Sequence, residues 1–339
     1  MNHGVSRTLR VGDEEHGITV TLRPMVADEA GKVYKMVKQA FGDVFGYYTD
    51  EEIIKLNQDG TLFSLVAVTE GGDLAGHVDL EFFKSSNLAL MDNACVQEKY
   101  GHTHIVFELS KMIIDHAREA NVNGALTLSL TNHTITQRMA NYFGSDCGIL
   151  LGSVPIKDPA DKQLQQRYVD SAVINYIPLK TRDALELYLP AHHRALIEEI
   201  YSTIGYPIIS CKTDESIQLA APGMIDVMPD NMGIVFFNVV SYGNDTLDQI
   251  ESKLEYLFSR EEQSSAYLFL NLEDPLTPQY VGLFEEKGFF FSGILPYGGR
   301  GHDVIVLQYL NSKIEPDRIK LYSPIAKEIL AHIRSVKSI

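Results

Sequence analysis

The chain has 339 residues, 45% of them hydrophobic, and carries 29 Lys and Arg against 45 Asp and Glu, a formal net charge of -16. So acidic a surface repels a phosphate backbone, which excludes nucleic acid as the expected partner while leaving room for a local pocket that holds a small anion. Cys95, Cys147 and Cys211 are widely spaced, without a C-x-x-C pair, and no apolar run is long enough for a membrane span or a secretory leader, so a cytoplasmic protein with no membrane partner is expected.

The length favours two domains. Residues 1–17 read as an N-terminal tail, and alternating elements begin at residue 18. "ITVTLRP" is a strand, "DEAGKVYKMVKQAFG" a helix opened by Asp28, and "DEEIIKLNQDG" a second helix closed by Gly60. The strands "LFSLVAV" and "AGHVDLEFF" flank "TEGGD", whose glycines suit a tight turn; His77, Asp79 and Glu81 alternate there with Val78, Leu80 and Phe82. The strand "NLALMDNACV" leads to the helix "HIVFELSKMIIDHAREA", whose stripe Ile105, Leu109, Met112, Ile113 has helical spacing and reads as core. A strand "GALTLSL", a helix "TITQRMANYFG" and the strands "GILLGSV" and "RYVDSAVINYI" complete this half.

The second half repeats the end of that order, from "MGIVFFNVV" through two helices to "FFFSGIL" and "DVIVLQYL", with "YGGRGHD" as a hairpin loop. Gly152 and Gly293, Pro155 and Pro296, Ala125 and Ala266, and Thr136 and Thr277 all share an offset of 141 residues, so a duplication is the economical reading. "ALELYLPAHHRALIEEIYSTIG" supplies the second half's opening strand and helix, and the boundary falls in "PLKTRD", Pro178 to Asp183. "SPIAKEILAHIRSV" is a final amphipathic helix, free to dock on either half or on a partner.

This order, with "TLRPMVADEAGKVYKMV" at its start, the hairpin "AVTEGGDLAGHVDL" and "EKGF" after the penultimate helix, resembles the GNAT N-acetyltransferases, present twice. The resemblance covers roughly residues 18–180 and 183–311, with 312–339 as the terminal helix. It implies an α/β (α+β) fold of two tandem domains, each a mixed, mostly antiparallel twisted sheet flanked by helices. It also implies acetyl-CoA, or another acyl-CoA, as donor, an amine of a small molecule or protein as acceptor, no metal, and a monomer or homodimer.

Family members bind the donor's pyrophosphate on a glycine-rich loop at a helix start, where unpaired N–H groups and the helix dipole favour an anion. Laid on that loop, "KYGHTHIV" places Gly101, His102, Thr103, His104, Ile105 and Val106 at the donor, with histidines where the family has glycines. Asn132, before the next helix, fits a donor contact, and the backbone N–H groups beside Cys95 and Val96 would polarise the thioester carbonyl. In the second half, Asp245 at the matching place would repel a diphosphate and reads better as a helix cap.

The family's usual tyrosine acid has no counterpart, since Ala140 and Phe284 stand at its place, although Tyr142 lies nearby. Glu81, Asp79 and Asp92 are the candidate bases. Competing readings are a solvated strand face for Asp79 and Glu81, a loop with incidental polar residues for His102 and His104, and a metal pair completed by His133. At the level of the whole chain, the alternative is a non-catalytic acyl-CoA sensor or interaction module, with acyl transfer from aminoacyl-tRNA disfavoured by the acidity.

Overall fold

The computed structural model describes residues 6–13, 17–42, 48–156, 168–212, 222–229, 234–259, 265–311 and 314–337. They form two compact units that divide between Thr127 and Leu128, with Ile156 counted in the first. Among the described residues no helix is long and apolar enough to cross a membrane, and Cys95, Cys147 and Cys211 are free thiols.

The first unit contains β1 (Arg7–Val11), β2 (Ile18–Pro24), α1 (Ala30–Phe41), α2 (Asp50–Asp59), β3 (Leu62–Thr69), β4 (Leu74–Phe83), β5 (Leu88–Val96), α3 (Ile105–Glu119) and the start of β6 (Gly124–Leu130). β1 to β5 pair antiparallel in chain order, and β6 runs parallel to β5 from Leu88↔Gly124 to Met91↔Thr127. The strand β1 was not expected; it lies within the segment read as a tail.

Local chemistry sets the ends of these elements. Thr49 and Glu52 form a reciprocal capping box at the start of α2, and Gly60 closes that helix in the left-handed region at φ 76°. The β3–β4 turn closes through the Gly72 amide on the Thr69 carbonyl and the Thr69 amide on that of Asp73.

Helices cover both faces of the first unit's central strands. Ala30, Val33, Met36 and Val37 of α1 and Ile53 of α2 pack with Leu62, Val66, Leu74 and Cys95 on one face. α3 packs on β4 and β5, and Gly76 makes its close approach possible, because a Cβ there would meet Ile105 Cγ2 at 2.7 Å and Leu109 Cδ1 at 3.3 Å. The solvated strand face considered for Asp79 is therefore overturned. β4 is buried from Leu74 through Leu80, including its polar positions.

The second unit holds the end of β6, α4 (Ile135–Phe143), β7 (Ser145–Ile156), β8 (Tyr168–Pro178), β9 (Leu185–Leu187), α5 (Arg194–Ile204), β10 (Ile208–Ser210), β11 (Met224–Pro229), β12 (Ile234–Ser241), α6 (Thr246–Phe258), β13 (Ser265–Asn271), α7 (Thr277–Glu286), β14 (Phe290–Gly299), β15 (His302–Leu310) and α8 (Pro324–Val336). Its strands lie in the order β8-β7-β14-β15-β13-β12-β11. β12 and β13 are parallel and joined by α6, while β11–β12, β13–β15, β14–β15 and β7–β14 are antiparallel. Each unit thus has a mixed, mostly antiparallel sheet with flanking helices, and each contains one parallel strand–helix–strand unit.

One expected element differs. "ALELYLP" contributes only β9, which pairs in parallel with β10 in a separate two-stranded ladder instead of opening the main sheet.

The expected β14–β15 hairpin is present. Arg300 at φ 52° and Gly301 at φ 92° fill a two-residue turn closed by Gly299↔His302, the pair of left-handed residues that matches the twist of a hairpin. Next to the turn, buried Asp303 receives both guanidinium nitrogens of Arg182 at 2.8 and 2.6 Å and the Tyr201 hydroxyl at 2.7 Å. Removing one partner of such a pair leaves a buried charge uncompensated, which is strongly destabilising.

β7 and β14 meet at Gly148↔Gly293. A Cβ on Gly293 would lie 2.3 Å from Gly148 Cα and 2.4 Å from the Cys147 carbonyl oxygen. The terminal helix α8 docks on α5 and β14 of this unit. Ser323 caps it by accepting the Ala326 amide at 3.0 Å, and its hydroxyl donates to Asp146 Oδ2 at 2.6 Å.

Candidate active site

The three candidate bases come together in the first unit. Sheet register places Ser64 opposite Asp79 and Asp79 opposite Asp92, with Glu81 two residues along β4. Side chains two apart on a strand share a face, so His77, Asp79 and Glu81 project to the side covered by α1 and α2, as their spacing predicts.

Asp79 is 1% exposed and its position is fixed from several sides. Ser64 Oγ donates to its Oδ1 at 2.5 Å and Asn93 Nδ2 lies 3.4 Å from its Oδ2. Ser64 is itself held by Asn57 of α2, which donates Nδ2 to the hydroxyl at 3.0 Å and accepts the Ser64 amide at 2.9 Å. The fully buried His77 places Nε2 3.1 Å from Asp79 Oδ2 and Nδ1 3.1 Å from the Leu65 carbonyl oxygen. His77 thus lies between the Leu65 carbonyl and the Asp79 carboxyl, in contact with both through its two ring nitrogens.

The neighbouring carboxyls are shifted upward. Burial is the largest influence on Asp92 and pushes it up to about 6; the Asn93 amide at 2.8 Å opposes this, and the charges of Asp79 and Glu81 add to it. Burial likewise raises Glu81, the Tyr48 hydroxyl donating to it offsets part of that, and Asp79 adds a further upward push. Tyr48 is raised in turn, by burial first and then by Glu81. A carboxylate tuned into this range can accept a proton from an ammonium group and remain mostly ionised at neutral pH.

A break in the sheet adjoins this cluster. β4 and β5 slip register between His77↔Cys95 and Asp79↔Asp92, so two residues of β5 oppose one of β4. Asn93 takes up the extra residue in the left-handed region at φ 55°, the geometry of a bulge that re-aims a strand. Pairing of β5 with β6 ends at Met91↔Thr127. Among the described residues, the β6-facing edge of β5 from Asp92 to Val96 has no ladder partner. The Cys95 side chain belongs to the core under α1 and α2, and burial, then Asp79, pushes its thiol up. Amides alternate along a strand, and the Gln97 amide bonds to the Ala75 carbonyl of β4, so the Val96 amide is the one turned to the free edge.

The segment before α3 folds as successive tight turns. The amides of Tyr100, Gly101 and Thr103 bond to the carbonyls of Gln97, Glu98 and Tyr100 at 2.8, 3.0 and 3.0 Å, and Thr103 Oγ1 donates to the Tyr100 carbonyl at 2.6 Å. Gly101, His102 and His104 are exposed, while Thr103 and Ile105 are buried and Val106 is half-buried. The first intrahelical bond runs from the Glu108 amide to the His104 carbonyl, so the Ile105 and Val106 amides belong to the unpaired first turn that favours an anion. Lys99 lies beside this start, bonded to Asp73 at 2.8 Å. His102 and His104 are not part of any cluster of metal-ligand type among the described residues.

Asn132 belongs to the second unit. Its amide bonds to Asp170, and its buried Oδ1 has no hydrogen-bond partner among the described residues. Tyr142 on α4 is 68% exposed and packs against Phe143.

The matching place before α6 is filled by the chain itself. Asp245 stands at the N-cap position but does not cap with its side chain, which corrects the capping expectation. It accepts the Gly223 amide at 2.7 Å and Gln249 Nε2 at 2.9 Å instead. Tyr280 donates to the Gly243 carbonyl at 2.7 Å and stacks on Tyr242 at 4.3 Å.

Ser64, Asn57, Tyr48 and Asn93 complete the first unit's cluster and were missed in the sequence. Only Asn93, which breaks the alternation of "LALMDNACV", left a signal there.

No protein-family model matches the chain, and no curated protein matches it. Among solved structures it is similar to the ribosomal-protein-S18-alanine N-acetyltransferase from Escherichia coli, at 13% identity and TM-score 0.39 over 48% of this chain and 96% of that one. It is similar to the ribosomal-protein-S5-alanine acetyltransferase from Vibrio fischeri, at 11% identity and TM-score 0.39 over 50% and 97%. A chimeric spermidine N-acetyltransferase from Vibrio cholerae gives 17% identity and TM-score 0.39 over 47% and 95%. Each of these acetyltransferases lies almost whole along about half of this chain.

Proposed function

We propose that the first unit is the seat of acyl transfer from an acyl-CoA, acetyl-CoA foremost, to an amine of a small molecule or protein. The observation that carries this reading is the convergence of Asp79, Glu81 and Asp92, with Asp92 raised to about 6, beside the unpaired edge of β5. The start of α3 supports it with a place for the donor's phosphates, made of the Val106 amide and the exposed His102 and His104 side chains.

In this reading Asp92, with Glu81 as its neighbour, accepts the proton of the incoming ammonium. The free amine attacks the thioester carbonyl, whose developing negative charge is met by the backbone N–H of Val96, next to Cys95. The C–S bond then breaks, the attacking nitrogen gives up its second proton, and the amide forms. The departing thiolate takes up a proton through solvent, since Ala140 stands where the family has its tyrosine acid. Asp79, locked by Ser64 and His77, keeps the neighbouring carboxyls raised and so acts as a positioning residue.

The segment 183–311, with the start of α6 filled from within, is a degenerate copy of 18–180 arising from duplication. Its support is the common offset and the placing of Ala125 and Ala266 as the second residues of β6 and β13, together with positive φ at both Gly152 and Gly293.

The competing reading, a sensor that binds acyl-CoA without transfer, is favoured by the tight turns and histidines where the family has a glycine loop. Titration calorimetry with acetyl-CoA, followed by a transfer assay on a panel of primary amines, separates the two. Binding with transfer that is lost in Asp92→Asn supports the enzyme, binding without transfer supports the sensor, and no binding at millimolar acetyl-CoA overturns both.

A further inference from the structure

A second cluster of ionisable groups lies in the second unit, apart from the residues used above. His192 Nε2 is 2.7 Å from Glu285 Oε2, and His193 Nε2 is 2.8 Å from Glu285 Oε1, so one carboxylate is gripped by the same nitrogen of two adjacent histidines. The ligand atoms of His192, His193 and Glu285 all fall within 4.8 Å of one another. On its other side the fully buried His193 places Nδ1 2.7 Å from His332 Nε2 on α8.

We propose that His192, His193 and Glu285 form a binding site for a divalent transition metal of the zinc class. Two imidazoles and a carboxylate are the donor set of three-ligand zinc sites, which leave the fourth position to water. Zinc lies about 2.0–2.2 Å from such ligands, which in a tetrahedral site sets them roughly 3.3 Å apart, so the two rings need part only slightly from the Glu285 carboxylate to admit an ion. His192 is half exposed while His193 is buried, which gives the ion a route from solvent and leaves the fourth position facing it.

The hydrogen bond to His332 supplies what a buried histidine ligand needs. When Nε2 binds a metal, the proton resides on Nδ1 and requires an acceptor, and the partner that accepts it orients the ring. His332 Nε2 stands at that place. Without metal, protons on the Nε2 atoms of His192 and His193 point at Glu285. With metal, each proton moves to Nδ1 of its own ring, His193 donates to His332, and the His332 proton moves to its own Nδ1, so every ring stays neutral. The ion would clamp His193 at the start of α5 to the end of α7, with α8 attached through His332.

The site eluded spacing rules because its ligands come from residues 192, 193 and 285, and two adjacent histidines carry no metal signature. The test is cobalt and zinc titration of the full chain after chelator treatment. We expect one ion per chain, visible absorption bands of a four-coordinate cobalt centre, and displacement of cobalt by zinc. His192→Ala, a half-exposed position, and Glu285→Gln should each abolish the bands, and His332→Ala should weaken binding about 10–100-fold while keeping them. Absence of the bands in the wild-type chain overturns the site. So does their persistence in both His192→Ala and Glu285→Gln, which would place the ion elsewhere.

Discussion

α3 and α6 each follow the first strand of a parallel pair, yet they begin in different surroundings. The start of α3 shows solvent His102 and His104, and the half-buried Val106 follows in the unpaired first turn. The start of α6 is taken up by Asp245 on the Gly223 amide, by Gln249 on the Gly223 carbonyl at 3.1 Å, and by the stacked Tyr242 and Tyr280. The strands differ in the same sense. β4 and β5 carry His77, Asp79, Glu81 and Asp92, whereas β12 carries Phe236, stacked on Tyr267 and Phe269 at 5.6 and 5.9 Å. A helix start and a strand face that bind nothing are best filled by the chain's own groups, because buried polar atoms left without partners are destabilising. The contrast accords with the proposal that places the ligand in the first unit.

Three changes would break or sharpen that contrast. The largest effect is expected from Asp92→Asn, which removes the proposed base and should lower the transfer rate about 10²–10⁴-fold while leaving acetyl-CoA affinity unchanged. In the unaltered protein the rate should rise with pH up to about 6 and then level, and a rate that ignores pH in this window would count against Asp92.

Next is Gly223→Ala in the second unit. The added Cβ would sit 2.2 Å from Thr246 Oγ1, a buried hydroxyl that accepts the Gly243 amide at 2.7 Å. Overpacking of this kind costs about 1–3 kcal/mol. A lowered denaturation midpoint with unchanged acetyl-CoA binding is expected, and a fall in acetyl-CoA affinity would show that the second loop does bind the donor. The smallest effect belongs to His102→Ala combined with His104→Ala. Losing hydrogen bonds to a charged phosphate should weaken acetyl-CoA binding about 10-fold, and calorimetry at fixed salt reads it directly.

Asp92 also couples the first unit's stability to pH. Its folded-state pKa is raised, so the folded form holds a proton that the unfolded chain releases at lower pH. That contribution is fully present below the unfolded pKa of about 4 and is lost as pH rises through about 6. Asp92→Asn should therefore flatten the fall in stability across this window, as followed by denaturant unfolding.

Much of the fold was legible from periodicity and turn chemistry. The stripe of α3, the glycines of the β3–β4 turn and the Arg300-Gly301 turn each act locally, so sequence neighbours suffice to reveal them. β1 and β11 are short strands at the ends of their ladders, with too few residues to show a period. The polar alternation on β4 correctly put His77, Asp79 and Glu81 on one face, but it could not say whether that face met water or helices. Covering by α1 and α2 is a tertiary fact, and it turns a row of charged residues into a cluster with altered proton affinity. Asn57, Ser64 and Tyr48 enter the cluster from separate elements, and nothing in their own segments announces it.

The contact of β7 with β14 carries a consequence for how the second unit can vary. Gly148 and Gly293 lie 145 positions apart in the chain, yet Gly148 occupies the space that a side chain at Gly293 would need. Gly293 cannot acquire even a methyl group while Gly148 stays in place, whereas a methyl group at Gly148 would meet the Gly293 Cα at 3.4 Å, an ordinary contact, and would press instead on the Ser292 carbonyl oxygen at 3.0 Å. The lock in sequence space runs one way: a substitution at Gly293 that left the unit folded would have to be accompanied by a parting of β7 from β14.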